Sequence, residues 1–108
     1  MEEFFLHFSP AMTYSRRMKT TRRGIQALLR EGNRRLDGHD PIGAAACYHE
    51  AAECGSPEGS YLLGLLYSTN VFPDFVQDDH LTARFFARAA DQGHTEAQMR
   101  IADMYAEG

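Results

Sequence analysis

The stretch AAECGSPEGSYLLGLLY, residues 51–67, returns thirty-eight positions later as AADQGHTEAQMRIADMY, residues 89–105. At that shift Ala51 pairs with Ala89, Ala52 with Ala90, Gly55 with Gly93, Glu58 with Glu96 and Tyr67 with Tyr105. Near-matches fall in the same register: Tyr48 with Phe86, Gly59 with Ala97, Leu63 with Ile101 and Gly64 with Ala102. A repeat of this period limits what the chain can fold into more than any other feature. Each copy is one supersecondary unit that cannot bury its apolar face alone, so neighbouring units must stack.

Each unit reads as two helices. Ala45, Tyr48, Ala51 and Ala52 share one face at three- and four-residue steps, as do Ala83, Phe86, Ala89 and Ala90. These patterns predict helices over about 41–54 and 80–92. Gly55 and Gly93 follow, suited to the left-handed residue that ends a helix. The next helices are predicted over 58–69 and 95–107. Asn70 and Gly108 come after them, two residue types that tolerate positive φ. Small residues such as Gly64, Ala89 and Ala102 let backbones approach, and Tyr67 and Phe86 fill the space beside them; Tyr105 holds the repeat position of Tyr67. Asp78 and Asp79 open a helix, where acids suit the positive dipole end. Between the helices of the middle unit lies STNVFPDFVQDD, residues 68–79, an irregular segment made apolar by Phe72, Phe75 and Val76.

The first 23 residues stand apart as an apolar segment, FFLHF, and a basic amphipathic helix. Ser9 and Pro10 mark that helix's start. Tyr14, Met18, Ile25, Leu28 and Leu29 share one face, with Arg16, Lys19 and Arg23 opposite. Gly24 is expected to break this stretch in two, leaving 25–37 as the first helix of the first unit. Residues 1–36 hold eight bases and three acids, and the remainder three bases and twelve acids, for a net charge of −4. That asymmetry suits either an anionic-partner patch at Arg16, Lys19 and Arg23 or two halves that attract each other. The patch lacks interleaved exposed aromatics, so a solvated helix face is the favoured reading and nucleic acid is not the expected partner.

Residues 76–108 resemble the Sel-one-like repeat, a longer relative of the tetratricopeptide repeat. Val76, Asp79, Ala83, Phe86, Ala89, Ala90, Gly93, Ala97, Ile101, Ala102, Tyr105 and Gly108 fill that pattern in order. Its Leu-Gly pair is Ile101-Ala102 in this copy and Leu63-Gly64 in the earlier one. In that earlier copy Pro41 stands at the family's Asp position and Gly59 at an Ala. Residues 31–51 look more like a plain tetratricopeptide unit, with Gly32, Ala44, Tyr48 and Ala51 at its spacing. The resemblance covers residues 24–108, about two and a half units with the last incomplete. It implies an all-α fold, an α-α superhelix in which antiparallel helix pairs form a right-handed solenoid. The implied role is a non-catalytic scaffold or adaptor that takes a protein or peptide in a concave groove. In such arrays the first helix of each unit lines that groove, which makes Ser60, Leu62, Leu65, Gln98, Arg100 and Asp103 the candidate partner contacts.

Sharper chemistry finds little support. Cys47 and His49 on one helix point about 200° apart, and no zinc-type spacing is present. Cys47 and Cys54, seven residues apart, would sit about 10.5 Å from each other, too far for a disulfide. Gly24, Gly32 and Gly38 lack the spacing of a phosphate loop, and no serine-nucleophile signature occurs. No enzyme activity, metal or cofactor is therefore expected. No apolar run approaches the roughly 20 residues that span a bilayer. The start MEEFFLHF has acids where a secretory signal has bases, and two free thiols suit a reducing compartment, so a cytoplasmic location is expected. Two alternatives stand beside the scaffold: a small chaperone or regulatory subunit of a secretion or membrane-associated complex, and nucleic-acid binding through the basic helix. The last unit ends after its first helix, leaving an apolar face for a longer array or for a homo-oligomer to cover.

Overall fold

The computed structural model describes residues 21–107 apart from Val71 and Asp74. The described residues form five α-helices and no strands: α1 Arg22–Asp37, α2 Pro41–Glu53, α3 Pro57–Ser68, α4 Asp79–Asp91 and α5 Thr95–Glu107. Each helix packs chiefly against its neighbours in sequence. The fold is all-α, and four helix boundaries fall within about a residue of those predicted by pattern. The exception is α1, which begins at Arg22 and runs straight through Gly24. The amide of Gly24 donates to the Thr21 side chain at 3.0 Å, so the glycine sits under an N-cap rather than at a break. Ser9, Pro10, Tyr14, Arg16, Met18 and Lys19 lie outside the described residues, as does the FFLHF segment.

Three of the four connections share one tight turn. After α2 the amide of Ser56 donates to Ala51 O and that of Gly55 to Ala52 O, with Gly55 at φ 96°. After α4, His94 and Gly93 make the same pair of bonds to Ala89 and Ala90, with Gly93 at φ 90°. After α1, Asp40 and His39 repeat it onto Arg35 and Leu36, but here a histidine holds the left-handed position at φ 63°. The residue closing each turn also caps the next helix. Asp40 accepts from the Gly43 amide, Ser56 from the Gly59 amide and His94, through Nδ1, from the Ala97 amide. The turn thus satisfies the carbonyl end of one helix and the amide end of the next within three residues.

Small residues set how closely the helices approach. A methyl group on Gly59 would meet the backbone N of Ala52 and O of Tyr48, both at 2.8 Å, so α2 and α3 touch backbone to backbone. A methyl on Gly64 would reach 2.5 Å from the ring atoms of Phe86. Gly32 stands in the same relation to the ring of Tyr48. An aromatic lying over a glycine therefore joins α1 to α2 and again α3 to α4. Tyr48, Ala51, Ala52 and Leu63 form one core cluster, and Tyr61, Phe86, Ala89 and Ala97 a second. Burying a side chain such as Leu63 contributes about 2 kcal/mol.

The connection between α3 and α4 is longer and is held by its aromatics. Tyr67 packs against Phe75 at 4.9 Å and stacks on Phe85 at 5.8 Å, while its carbonyl accepts the Asp78 amide at 2.9 Å. Asp78 caps α4 by accepting from the Leu81 amide, as its place at the helix start predicted. Phe72 and Phe75 pack against the first core cluster, but Val76 points into solvent. No described helix is long and apolar enough to cross a membrane.

Candidate functional site

Two clefts lie between alternate helices. One, of about 420 Å³, is walled by Ile25, Gln26, Leu29, Arg30 and Asn33 of α1 and by Ser56, Glu58 and Leu62 at the start of α3. The other, of about 520 Å³, lies between α2 and α4, with His49, Glu53, Arg84, Phe85, Arg88 and Asp91 among its walls. Recognition clefts combine an apolar floor with a few fixed polar groups. The α1–α3 cleft fits that description, because Ile25, Leu29 and Leu62 supply apolar surface and Gln26 and Arg30 stand exposed at its margin. The larger cleft is mostly charged, and Arg88 spends part of its guanidinium on the Ala52 carbonyl at 3.3 Å and on Glu53 at 3.6 Å.

Two bonds position the polar wall of the α1–α3 cleft. The Tyr48 hydroxyl, reaching up from α2, donates to Asn33 Oδ1 at 2.5 Å. Burial pushes the Tyr48 phenol above its ordinary value, which keeps it protonated and donating. At the other end, Glu58 accepts from His94 Nε2 at 2.8 Å. Because His94 Nδ1 accepts the Ala97 amide, the proton of the neutral ring sits on Nε2, aimed at Glu58. The same imidazole stacks on Tyr61 with ring centroids 4.5 Å apart, and the Tyr61 hydroxyl donates to Glu96 at 3.3 Å. The rim of the cleft is in this way tied to the α4–α5 turn.

Farther along α1, Glu31 pairs with Arg34 at 2.7 Å and with Arg35 at 3.1 Å, and Arg35 also reaches Asp40 at 3.2 Å. The Arg34 hydrogen bond holds the Glu31 carboxyl below its usual range, and the Gly43 amide, then Arg35, does the same for Asp40. These exposed pairs order the α1–α2 corner but add little stability. Cys47 is half-buried, and burial pushes its thiol upward, away from the thiolate. Among the described residues no three His, Cys, Asp or Glu side chains come together as a metal site.

The six residues expected as partner contacts do not form one surface. Leu62 lines the α1–α3 cleft. Leu65 is half-buried against the second core cluster. Gln98, Arg100 and Asp103 are exposed on α5, where Gln98 Nε2 donates to the Ala90 carbonyl at 3.1 Å. Ser60 corrects the expectation outright: it is 0% exposed, because α3 is packed on one side by α2 and on the other by α4. Tyr105 differs from its counterpart in the repeat: Tyr67 is held between aromatics, but Tyr105 is 80% exposed. No helix lies beyond α5 among the described residues to pack against it. Of the basic patch, Arg23 is exposed in the first turn of α1, and Arg16 and Lys19 lie outside the described residues.

Sequence reasoning missed the α1 wall of the cleft. The signal was there, since Ile25 and Leu29 stand four apart on the apolar face of α1, but the thirty-eight-residue register does not reach that helix. The loop after α3 is longer than the turn after α1, so equivalent glycines, Gly32 and Gly64, are separated by a different interval. Compared with known proteins, the chain matches no family model, no curated protein and no solved structure.

Proposed function

We propose that this chain is a non-catalytic protein-interaction scaffold whose cleft between α1 and α3 receives a peptide segment of a partner protein. The observation that carries the reading is the cleft itself, an apolar floor of Ile25, Leu29 and Leu62 with fixed polar groups at both ends. The likeness of residues 24–108 to Sel-one-like repeats supports the wider proposal that the helices are successive units of an α-α superhelix. So does the recurrence of one turn and one aromatic-over-glycine contact along the chain. In such an array α1, α3 and α5 are the first helices of their units, and the cleft is the first stretch of the groove they line.

Affinity capture with the folded chain, read by mass spectrometry, identifies the partner, and binding of its synthetic peptide segments then locates the site. Gln26→Glu and Arg30→Glu change exposed margin residues only. Each is expected to weaken peptide binding at least about tenfold, roughly 1.4 kcal/mol, with helicity unchanged. A peptide that binds both variants as tightly as the parent chain would show that the cleft is not the site.

A further inference from the structure

The outer face of α5 carries a surface whose counterpart elsewhere in the molecule is covered. At 100° per residue, Gln98, Met99, Ala102, Tyr105 and Ala106 fall within an arc of about 120°. All five are exposed, Met99 at 62% and Tyr105 at 80%. The charged Glu96, Arg100 and Asp103 lie outside that arc, so the stripe is free of charge. Moved back by the thirty-eight-residue register, its positions become Ser60, Tyr61, Gly64, Tyr67 and Ser68 of α3. On α3 this stripe is where α4 docks: Phe86 lies over Gly64, Phe85 stacks on Tyr67, and Tyr61 meets Phe86 at 5.5 Å. The α5 stripe is thus built like a helix-docking face, with a small residue at its centre.

We propose that a second copy of this chain covers it, α5 against α5, antiparallel about a two-fold axis at Ala102. The stripe is self-complementary about that residue. Met99 stands three residues before Ala102 and Tyr105 three residues after it, so the two-fold operation lays each Tyr105 across Met99 of the second copy. Thioether–aromatic contact is favourable, and Tyr105 supplies the aromatic that α4 supplies to α3 within the chain. Ala102 at the axis lets the backbones approach as Gly64 does under Phe86. Because the stripe carries no charge, doubling it brings no like charges together. One helical face is smaller than the roughly 800 Å² per partner of a standard interface, so the dimer is weak.

Sedimentation equilibrium over about 5–500 µM, which reaches weak association, tests this on the full chain. The parent is expected to pass from monomer to dimer. Met99→Glu and Tyr105→Lys are each expected to weaken association at least tenfold. The double variant, which sets Glu against Lys across the axis twice, is expected to recover it. Thermal unfolding of each variant checks that the exposed substitutions leave the fold intact. A parent chain monomeric throughout the range overturns the proposal. A dimer indifferent to both single substitutions overturns it as well. Loss in the singles without recovery in the double overturns the two-fold register.

Discussion

The turn joining α2 to α3 and the turn joining α4 to α5 have the same hydrogen bonds and the same left-handed glycine, yet their side chains solve the packing differently. At the first, Ser56 caps and Gly59 brings the two backbones into contact. At the second, His94 caps and Ala97, fully buried, keeps a methyl group between the helices. The first turn relies on close approach. The second spreads its interactions outward, through His94 to Tyr61 and Glu58 and through Tyr61 to Glu96. One backbone plan therefore accepts two chemistries, which is why copies so diverged in sequence still stack alike.

The largest expected effect comes from forcing the first seam to look like the second. Gly59→Ala places a methyl 2.8 Å from two backbone atoms, which cannot swing aside as a side chain would. Overpacking of this kind costs about 2–3 kcal/mol, or a fall in melting temperature of roughly 10–20 °C for a domain of this size. The reverse change, Ala97→Gly, loses one buried methyl and some helix propensity, about 1–2 kcal/mol. Melting followed by circular dichroism separates the two. Equal losses would mean that the seams approach equally closely and that the contrast drawn here is wrong.

The next effect concerns the caps. Ser56→Ala should cost about 1 kcal/mol, the ordinary loss of a capping side chain. His94→Ala should cost more, about 1–2 kcal/mol, because the Tyr61 stacking and the Glu58 bond go with the cap. His94→Ser is the discriminating variant. It can restore a hydroxyl cap like that of Ser56 but not the outward contacts, so its stability in urea should fall between His94→Ala and the parent. If His94→Ser matches the parent, the outward contacts contribute nothing and the two turns are energetically alike.

How far this was legible follows from which residues obey local rules. The helix ends at Gly55 and Gly93 and the cap at Asp78 could be read directly, because left-handed turns and helix starts select a few residue types. Helices α2 to α5 followed from spacing alone. The cap at His94 could not be read, since an imidazole is not among the usual capping groups and acts here only because its ring is also held by Glu58 and Tyr61. Ser60 was misplaced because its helix's place in the array was taken to set that face toward the groove. The overlooked signal was that α3 carries no charge after Glu58, and a helix without a charged face is packed on more than one side. Tyr105 shows the converse, because a repeat position says what a residue packs against only where a neighbouring helix is described: Tyr67 is covered and Tyr105 is exposed.

The smallest effect comes from the third turn, which isolates the backbone term common to all three. His39 sits at φ 63° where Gly55 and Gly93 sit at 96° and 90°. A side chain with a Cβ in that region carries roughly 1–2 kcal/mol of strain, while a glycine there gives back about 0.4–1 kcal/mol through the freer unfolded chain. His39→Gly should therefore stabilise the protein by only about 0.5 kcal/mol. Gly55→Ala should run the other way by a similar or slightly larger amount, because a methyl at Gly55 would meet no atom within 4 Å and only the backbone conformation is penalised. The signs matter more than the sizes. If His39→Gly destabilises, the histidine contributes something beyond its turn, and the three connections cannot be treated as one motif with interchangeable residues. If Gly55→Ala proves neutral, the left-handed position relaxes without loss, and the glycines at the two seams were retained for some reason other than φ.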